Sequence, residues 1–101
     1  MSQTVTWSGY TFQVFGTNTT WNDVSGIYIF TYQTTQGWRA CYIGQADSFS
    51  TRLPNHERWA EAARSGATHV HALVVSGATD RDAIERAFIG TFQPPLNVHH
   101  R

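Results

Sequence analysis

The sequence predicts an α/β domain with a central three-stranded antiparallel sheet flanked by helices and with an extra N-terminal hairpin-like segment. Two runs of alternating apolar and aromatic residues, at about 26–33 and 38–44, face each other across a short turn. A third run, 68–76, is rich in β-branched residues and lies between two segments with helical spacing. A chain of 101 residues is long enough for one domain with a modest core.

The N-terminal part predicts a small hairpin or irregular strand pair, because residues 4–15 alternate on both sides of Ser8-Gly9. We expect it to extend or cover the main sheet. Residues 16–25 are polar and predict a connecting loop anchored by Trp21. The expected organisation is therefore an N-terminal extension, a main domain and a tail, at 1–23, 24–98 and 99–101.

The two central strands carry the tripeptides Gly26-Ile27-Tyr28 and Tyr42-Ile43-Gly44. Strand side chains alternate, so Trp38, Ala40 and Tyr42 are expected to share one face. With a turn over 34–37, a symmetric register pairs side chains across the strands: Tyr28 with Tyr42, Phe30 with Ala40, and Tyr32 with Trp38. Two phenols would then meet on one face of the sheet. The same pattern is also typical of an aromatic ladder that only stabilises a hairpin.

After the second tripeptide, a bent or two-part helix is expected, because 47–53 can form a helical turn and Pro54 suits a first turn better than a helix interior. It should end near Gly66. Helical spacing places five residues on one stripe: Arg52, His56, Trp59, Ala60 and Ala63. Arg52 and His56 could both be cationic, and an anion such as a phosphodiester would relieve their repulsion. The alternative is a surface arginine packed over Trp59.

The last helix is expected to begin at a capping box of Thr79 and Asp82 and to end near Phe92, before Pro94-Pro95. Its Glu85 lies on a stripe with three large apolar residues: Phe88, Ile89 and Phe92. Burying an unpaired carboxylate is costly, so Glu85 is expected to bind a cation. That cation could be Arg81, one turn earlier, or a metal ion.

Taken in order, these motifs resemble the GIY-YIG nuclease family over about residues 24–98. The two tripeptides match the name motifs, and Arg52 stands where the family has a helical arginine, eight residues after the second glycine. His56 follows as in some members. Glu85 matches the metal-binding carboxylate, and Asn97 ends the Pro-Pro-Leu-Asn segment that often closes the domain. Gln45 departs from the pattern, because many members have Lys or Ser there.

The resemblance implies a metal-dependent endonuclease that hydrolyses phosphodiester bonds of DNA. Glu85 would hold one Mg²⁺, which keeps several waters, and Mn²⁺ could substitute. Tyr28 would help to deprotonate the attacking water with assistance from His56, Tyr42 would orient water or phosphate, and Arg52 would stabilise the phosphate. Supporting roles are implied for three further residues: Gly26, Gly44 and Asn97.

The charge balance of the chain suggests an alternative to the nuclease function. Seven arginines oppose seven acidic residues, and the chain has no lysine. Affinity for nucleic acid comes mainly from neutralising phosphates. We therefore expect either that a partner protein or an oligomer supplies substrate affinity, or that the chain is a non-cleaving nucleic-acid-binding or assembly module.

Other residues exclude some classes of function. No apolar run reaches membrane-spanning length and no signal pattern begins the chain, so we expect no membrane contact and a cytoplasmic location. The single cysteine, Cys41, is expected to be a buried small residue on the strand face opposite Tyr42. His69 and His71 share a strand face, and packing or solvent exposure is expected rather than metal binding.

Overall fold

The computed structural model describes residues 3–98, so the tail expected at 99–101 lies outside the described residues. The described part contains five strands and four helices. The strands are β1 Thr4–Trp7, β2 Tyr10–Phe15, β3 Gly26–Thr34, β4 Gly37–Ala46 and β5 His69–Val74. The helices are α1 Phe49–Arg52, α2 Trp59–Arg64, α3 Ala78–Phe92 and α4 Pro95–Val98.

The strands form one antiparallel sheet in the order β1-β2-β5-β3-β4. The mixed α/β class and the antiparallel sheet are confirmed, but the sheet has five strands rather than three. The additional strands are β1 and β2, which pair with each other and then with β5. Their two-residue turn has positive φ at Ser8 and Gly9, a combination that suits the twist of a hairpin.

The register of the β3–β4 hairpin differs from the predicted one. Tyr28 lies opposite Gly44, and Phe30 lies opposite Tyr42. The register then shifts, so that Thr31 lies opposite Ala40 and Cys41 has no partner. An unpaired extra residue in one strand is a β-bulge, which changes the face that following side chains occupy.

The bulge corrects two expectations about faces. Cys41 and Tyr42 both join the cluster around Tyr28, whereas Trp38 and Ala40 pack with the cluster on the other face. Cys41 is therefore buried as expected, but it is not opposite Tyr42. Strict alternation fails here because a single inserted residue reverses the pattern on one side of it.

Two apolar clusters cover the two faces of the sheet. One contains Tyr28 and Phe30 with Phe49, Leu53 and Ala62 from the α1–α2 segment. The other includes Phe12, Ile27 and Ile43 with Phe88 of α3. The sheet is thus covered by α1 and α2 on one face and by α3 on the other, and the candidate site residues on the first face are close to the first pair of helices.

The helix after β4 is in two parts, as predicted, but the predicted stripe is wrong. Residues 53–58 between α1 and α2 are not helical, so the four-residue spacing of Arg52 and His56 does not place them on one helical face. In α2, Ala62 is fully buried while Ala60 and Ala63 are exposed. Pro54, which lacks an N–H to donate, accounts for the break.

The boundaries of α3 agree with the prediction at one end only. The helix ends at Phe92, and Gln93 takes a left-handed conformation that stops it before the prolines. It begins at Ala78, with Gly77 as the N-cap and no side-chain capping bond. The predicted capping box of Thr79 and Asp82 is therefore wrong, because the helix starts before Thr79.

Candidate functional site

The centre of the candidate site is a buried hydrogen bond between Tyr28 Oη and His56 Nε2, 2.5 Å long. Tyr28 comes from the middle of the sheet, and His56 comes from the turn between α1 and α2. Both side chains are nearly inaccessible, with 1% of Tyr28 and 5% of His56 exposed. A phenol and an imidazole held together away from bulk water can exchange or share a proton.

The second ring nitrogen of His56 indicates which group donates. His56 Nδ1 accepts a hydrogen bond of 2.9 Å from the backbone N–H of Arg58. In a neutral imidazole the other nitrogen then carries the hydrogen. Nε2–H therefore donates to the oxygen of Tyr28, and the phenol's own proton is left to point elsewhere.

Tyr42 lies diagonally across the hairpin from Tyr28, with ring centroids 6.2 Å apart. Its ring is 5.3 Å from that of His56, so the two phenols and the imidazole form one group. The prediction that both tyrosines share a face is confirmed, although through a different register. Phe30 lies behind them, with its ring 5.0 Å from His56 and 5.8 Å from Tyr42.

The glycines of both tripeptides are required by close packing. A Cβ on Gly44 would lie 2.5 Å from Tyr28 Oη and 2.6 Å from its Cζ. A Cβ on Gly26 would collide with the backbone carbonyl of Leu73 and with the ring of Phe49. Gly44 thus leaves the space that the Tyr28 phenol fills, and Gly26 allows β5 to approach β3.

Arg52 is paired with Glu57 in a two-pronged contact. Arg52 Nη1 is 2.7 Å from Glu57 Oε1, and Nη2 is 3.0 Å from Oε2. His56 and not an acidic residue stands four residues after Arg52, but the break in the helix brings Glu57, five residues on, within its reach. This hydrogen-bonded pair raises the pKa of Arg52 and lowers the pKa of Glu57 to about 2.

Glu85 is half-buried and accepts a 2.9 Å hydrogen bond from Gln45 Nε2. The same amide nitrogen donates to Asp82 Oδ1 at 2.7 Å. Arg81, the alternative to a metal ion as the cation for Glu85, pairs elsewhere. It binds Asp47 Oδ1 at 2.7 Å and the backbone carbonyls of Val75 and Ser76.

Burial and neighbouring charges set the protonation of these groups. Burial, and then Tyr42, raise the pKa of Tyr28 far above its usual range, while Arg52 acts to lower it. Burial also raises the pKa of Tyr42. Burial and Arg52 lower the pKa of His56 to about 4, so the imidazole is neutral at physiological pH. The charge of Glu85 also raises the pKa of both phenols.

Asn97 connects α4 to β4 through both ends of its amide. Its Oδ1 accepts from the backbone N–H of Ile43 at 2.8 Å, and its Nδ2 donates to the carbonyl of Ile43 at 2.9 Å. Ile43 stands between Tyr42 and Gly44. Asn97 therefore holds the strand segment that carries the second tripeptide.

The donor set suits one hard divalent cation. Within residues 3–98 no group of three or more His, Cys, Asp or Glu side chains could hold a metal ion. Glu85 instead offers one carboxylate on α3, held by Gln45 at the end of β4, and oxygen ligands with retained waters are what Mg²⁺ prefers. The residues present thus fit a cation that is held by one carboxylate and completed by water and substrate.

The structure brings together three predicted residues, Tyr28, Tyr42 and His56. The charges of Arg52 and Glu85 shift the pKa of both phenols. Two further residues contact them, Glu57 on Arg52 and Gln45 on Glu85. The sequence analysis missed both contacts. Gln45 had one visible signal, because it departs from the family pattern next to the second tripeptide. Glu57 had none, since its contact depends on a turn that helical spacing hides.

His69 and His71 contact different groups, and His69 Nδ1 lies 2.8 Å from Thr68 Oγ1. His71 is fully buried, and its Nδ1 accepts a 2.9 Å hydrogen bond from Trp7 Nε1. Its ring lies 4.5 Å from that of Trp38. Burial and His69 lower the pKa of His71 to about 4, so this histidine is a neutral core residue on the face away from the phenols.

The fold is that of the GIY-YIG endonuclease domain. The chain is similar to the crystal structure of the GIY-YIG N-terminal endonuclease domain of UvrC from Thermotoga maritima, in a point mutant bound to its catalytic divalent cation. The TM-score is 0.59 at 24% sequence identity, over 73% of this chain and 82% of that chain. The resemblance inferred from the sequence is thus confirmed for the fold.

No protein-family model matches the sequence, and no curated protein matches it. Between residues 3 and 98, no helix is long and apolar enough to cross a membrane.

Proposed function

We propose that the protein is an endonuclease that hydrolyses phosphodiester bonds of DNA with one Mg²⁺ held by Glu85. The observation that carries the proposal is the buried hydrogen bond between Tyr28 and His56, in which the charges of Arg52 and Glu85 also shift the pKa of the phenol. A structural hairpin needs neither a buried phenol–imidazole contact nor a carboxylate that has no ion-pair partner among residues 3–98. The fold shared with a known endonuclease domain supports the same reaction class.

Glu85 is the proposed metal ligand, and Mn²⁺ should substitute for Mg²⁺ because both accept oxygen ligands. When bound, the cation would polarise the phosphate and offset charge on the leaving oxygen. Gln45 holds the Glu85 carboxylate through Oε1, which leaves Oε2 without a partner among the described side chains. Gln45 therefore orients the ligand without neutralising its charge.

Arg52 is the proposed phosphate-binding group. Its guanidinium already makes a two-pronged contact with the carboxylate of Glu57, and a phosphate offers similar geometry. Glu57 is exposed, so an incoming phosphate can replace it without burying a lone charge. Arg52 would then face the negative charge that develops on the phosphate during hydrolysis.

Tyr28 is the proposed proton acceptor for the attacking water. It would act as the phenolate, and its own proton would leave to solvent when a cation at Glu85 lowers the pKa of the phenol. His56 donates from Nε2 to the phenol oxygen and so stabilises the anionic form of Tyr28, and Arg52 does so through its charge. His56 thus assists as a hydrogen-bond donor and not as the base. Tyr42, whose ring lies beside both partners, is proposed to orient water or phosphate.

The supporting roles follow from the packing. Gly44 leaves room for the Tyr28 phenol, Gly26 brings the strands together, and Asn97 holds the backbone beside Tyr42. We also propose a cytoplasmic location, which cell fractionation can check.

The test is a nicking assay on supercoiled DNA with Mg²⁺, with Mn²⁺ and with EDTA. Nicks that require a divalent cation and disappear in the Glu85→Gln variant are expected. Cleavage that survives EDTA would overturn the one-metal proposal.

A second candidate function is a non-cleaving nucleic-acid-binding or assembly module. The pairing of the arginines favours it, since Arg52, Arg58 and Arg81 each contact a carboxylate within 2.7 Å. Few cations remain for phosphates, so a partner protein or an oligomer would have to supply affinity. Metal-dependent nicking by the isolated chain would exclude this function, and binding without nicking would support it.

A further inference from the structure

A cavity of about 310 Å³ opens beside the candidate site. Its floor is apolar and buried, and consists of Phe30, Leu53 and Val70. The partly exposed rings of Trp21 and Trp59 also line it, and residues 16–19 and Pro54 complete the lining. Its volume is near the lower end of the ~300–1,000 Å³ that small-molecule pockets span. It therefore has room for one flat heterocycle with a sugar attached.

The cavity and the candidate site share a wall. The ring of Phe30 is 5.0 Å from that of His56 and also 5.0 Å from that of Trp59. Leu53 and Pro54, which line the cavity, directly follow Arg52 in the chain. The cavity therefore begins at the residues that directly follow Arg52, the proposed phosphate-binding group.

The lining combines aromatic faces with polar groups at the rim. Trp21 packs edge-on against Phe15 at 4.8 Å, and Trp59 packs edge-on against Phe30 at 5.0 Å, so both rings are held in place. Thr19 Oγ1 donates to the carbonyl of Gly16 and closes the rim loop. Thr17 and Asn18 are exposed there, with side-chain groups suited to the polar edge of a base.

The charges of the chain indicate that affinity for nucleic acid must come largely from contacts other than those with phosphates. Net charge is zero, and three of the arginines contact carboxylates. Affinity from phosphate neutralisation is therefore small. Stacking of bases on aromatic side chains does not depend on phosphate charge and tolerates any base.

We propose that this cavity is a nucleobase subsite, in which Trp21 and Trp59 take up an unpaired base next to the phosphate that is cleaved. The inference rests on the proposed nuclease function and adds the class of substrate. The preferred substrate is a single strand, or a duplex with an unpaired nucleotide, because a paired base cannot enter the cavity without leaving its stack.

The experiment compares two labelled oligonucleotides of equal length, one all-thymine and one with every base replaced by an abasic analogue. Both carry the same phosphates. Binding to the full chain is measured in EDTA, so that no cleavage occurs. The thymine strand should bind about tenfold or more tightly than the abasic strand, because each stacked base contributes about that factor. The ratio should hold as salt is raised, while both affinities fall.

Variants locate the effect. Trp21→Leu and Trp59→Leu should each reduce the preference for the thymine strand. Tyr10→Leu changes an exposed aromatic residue that does not line the cavity, and it should retain the preference. Thermal melting of each variant checks the fold. Since Trp59 packs on the core, a measurement on the unaltered protein is also needed. Its tryptophan fluorescence should be quenched by the thymine strand and not by the abasic strand.

Three outcomes would overturn the proposed subsite. The unaltered protein could bind both strands equally, both leucine variants could keep the full base preference, or neither strand could bind at low salt. These outcomes are separate from those for the nuclease. Base-dependent binding without metal-dependent cleavage would support the nucleobase subsite and exclude the nuclease function. Cleavage of both strands at equal rates keeps the nuclease and excludes the subsite.

Discussion

Tyr28 and His56 are joined by a 2.5 Å hydrogen bond although they are 28 residues apart in the chain. The bond connects the middle of β3 to the non-helical turn between α1 and α2. Because His56 Nδ1 is occupied by the Arg58 amide, the imidazole can donate to the phenol only in one tautomer. The chemistry proposed for Tyr28 therefore depends on the break in the helix.

Tyr28→Phe should reduce kcat by about 10²–10⁴, because the proton acceptor is lost while the ring remains. It should also lower the free energy of unfolding by about 1–3 kcal/mol, since the buried N–H of His56 loses its partner. Single-turnover kinetics and denaturant unfolding measure the two effects. Tyr32→Phe is the matched control, on the same strand and without a phenol hydrogen bond to the described residues, and both values should stay near those of the unaltered protein.

Glu85→Gln should abolish cleavage and weaken binding of divalent cations, because an amide lacks the anionic oxygen that Mg²⁺ requires. The fold should be retained, since Gln45 can still donate to the remaining side-chain oxygen. Calorimetric titration with Mn²⁺ and a cleavage assay check the two outcomes. Asp23→Asn removes a carboxylate from an exposed loop and serves as the charge control. Full activity in the Glu85→Gln variant would show that Glu85 is not the metal ligand.

Arg52→Lys should be impaired almost as strongly as Arg52→Ala, because lysine keeps the charge but cannot make the two-pronged contact. Glu57→Gln should have the opposite effect on binding and lower the Kd for DNA, since it frees Arg52 from its ion pair. Both are measured by anisotropy with a labelled duplex and by cleavage rates. If the Lys variant cleaves normally, Arg52 only attracts the substrate.

Gly44→Ala should reduce activity and stability together. The added methyl would stand 2.5 Å from Tyr28 Oη, so the phenol must move away from His56. Overpacking of this kind costs about 1–3 kcal/mol. Gly90→Ala is the control, because a Cβ there meets nothing within 4 Å and lies inside α3. It should stabilise the protein by about 0.5–1 kcal/mol without changing activity.

Stability should fall as the pH decreases from about 6.5 to about 4. The unfolded chain protonates its histidines near pH 6.5, whereas His56 and His71 have pKa values lowered to about 4 in the folded protein. The unfolded state then binds more protons, so each histidine costs about 3 kcal/mol at pH 4. Denaturant unfolding across this range measures the slope. His71→Phe should remove about half of the fall in the free energy of unfolding between pH 6.5 and pH 4. If the fall is unchanged in this variant, His71 is not buried as a neutral side chain.

Much of the candidate site could be predicted from the sequence because it depends on local patterns. The alternation around Tyr28 and Tyr42 predicts two strands, and the spacing of the two tripeptides places both phenols on one face. The position of Pro54 predicts the break between α1 and α2. These features follow from strand pleat and proline geometry, which act over a few residues.

The remaining features depend on contacts between distant segments. The bulge at Cys41 shifts the register, and nothing in the local alternation of β4 indicates an inserted residue. The pair of Arg52 and Glu57 forms only because the chain turns after α1. Gln45 meets Glu85 because β4 and α3 pack together, which is a tertiary contact that spacing along the chain does not contain.

Asn97 also bears on how the protein avoids self-association. β4 is an outer strand of the sheet, and such a strand offers unpaired N–H and C=O groups to any foreign strand. The amide of Asn97 occupies both groups of Ile43, as the backbone of a sixth strand would. A strand from another molecule that docked there would have to displace Asn97 first. The same side chain that supports the site thus covers the exposed edge of β4 at Ile43, next to Tyr42.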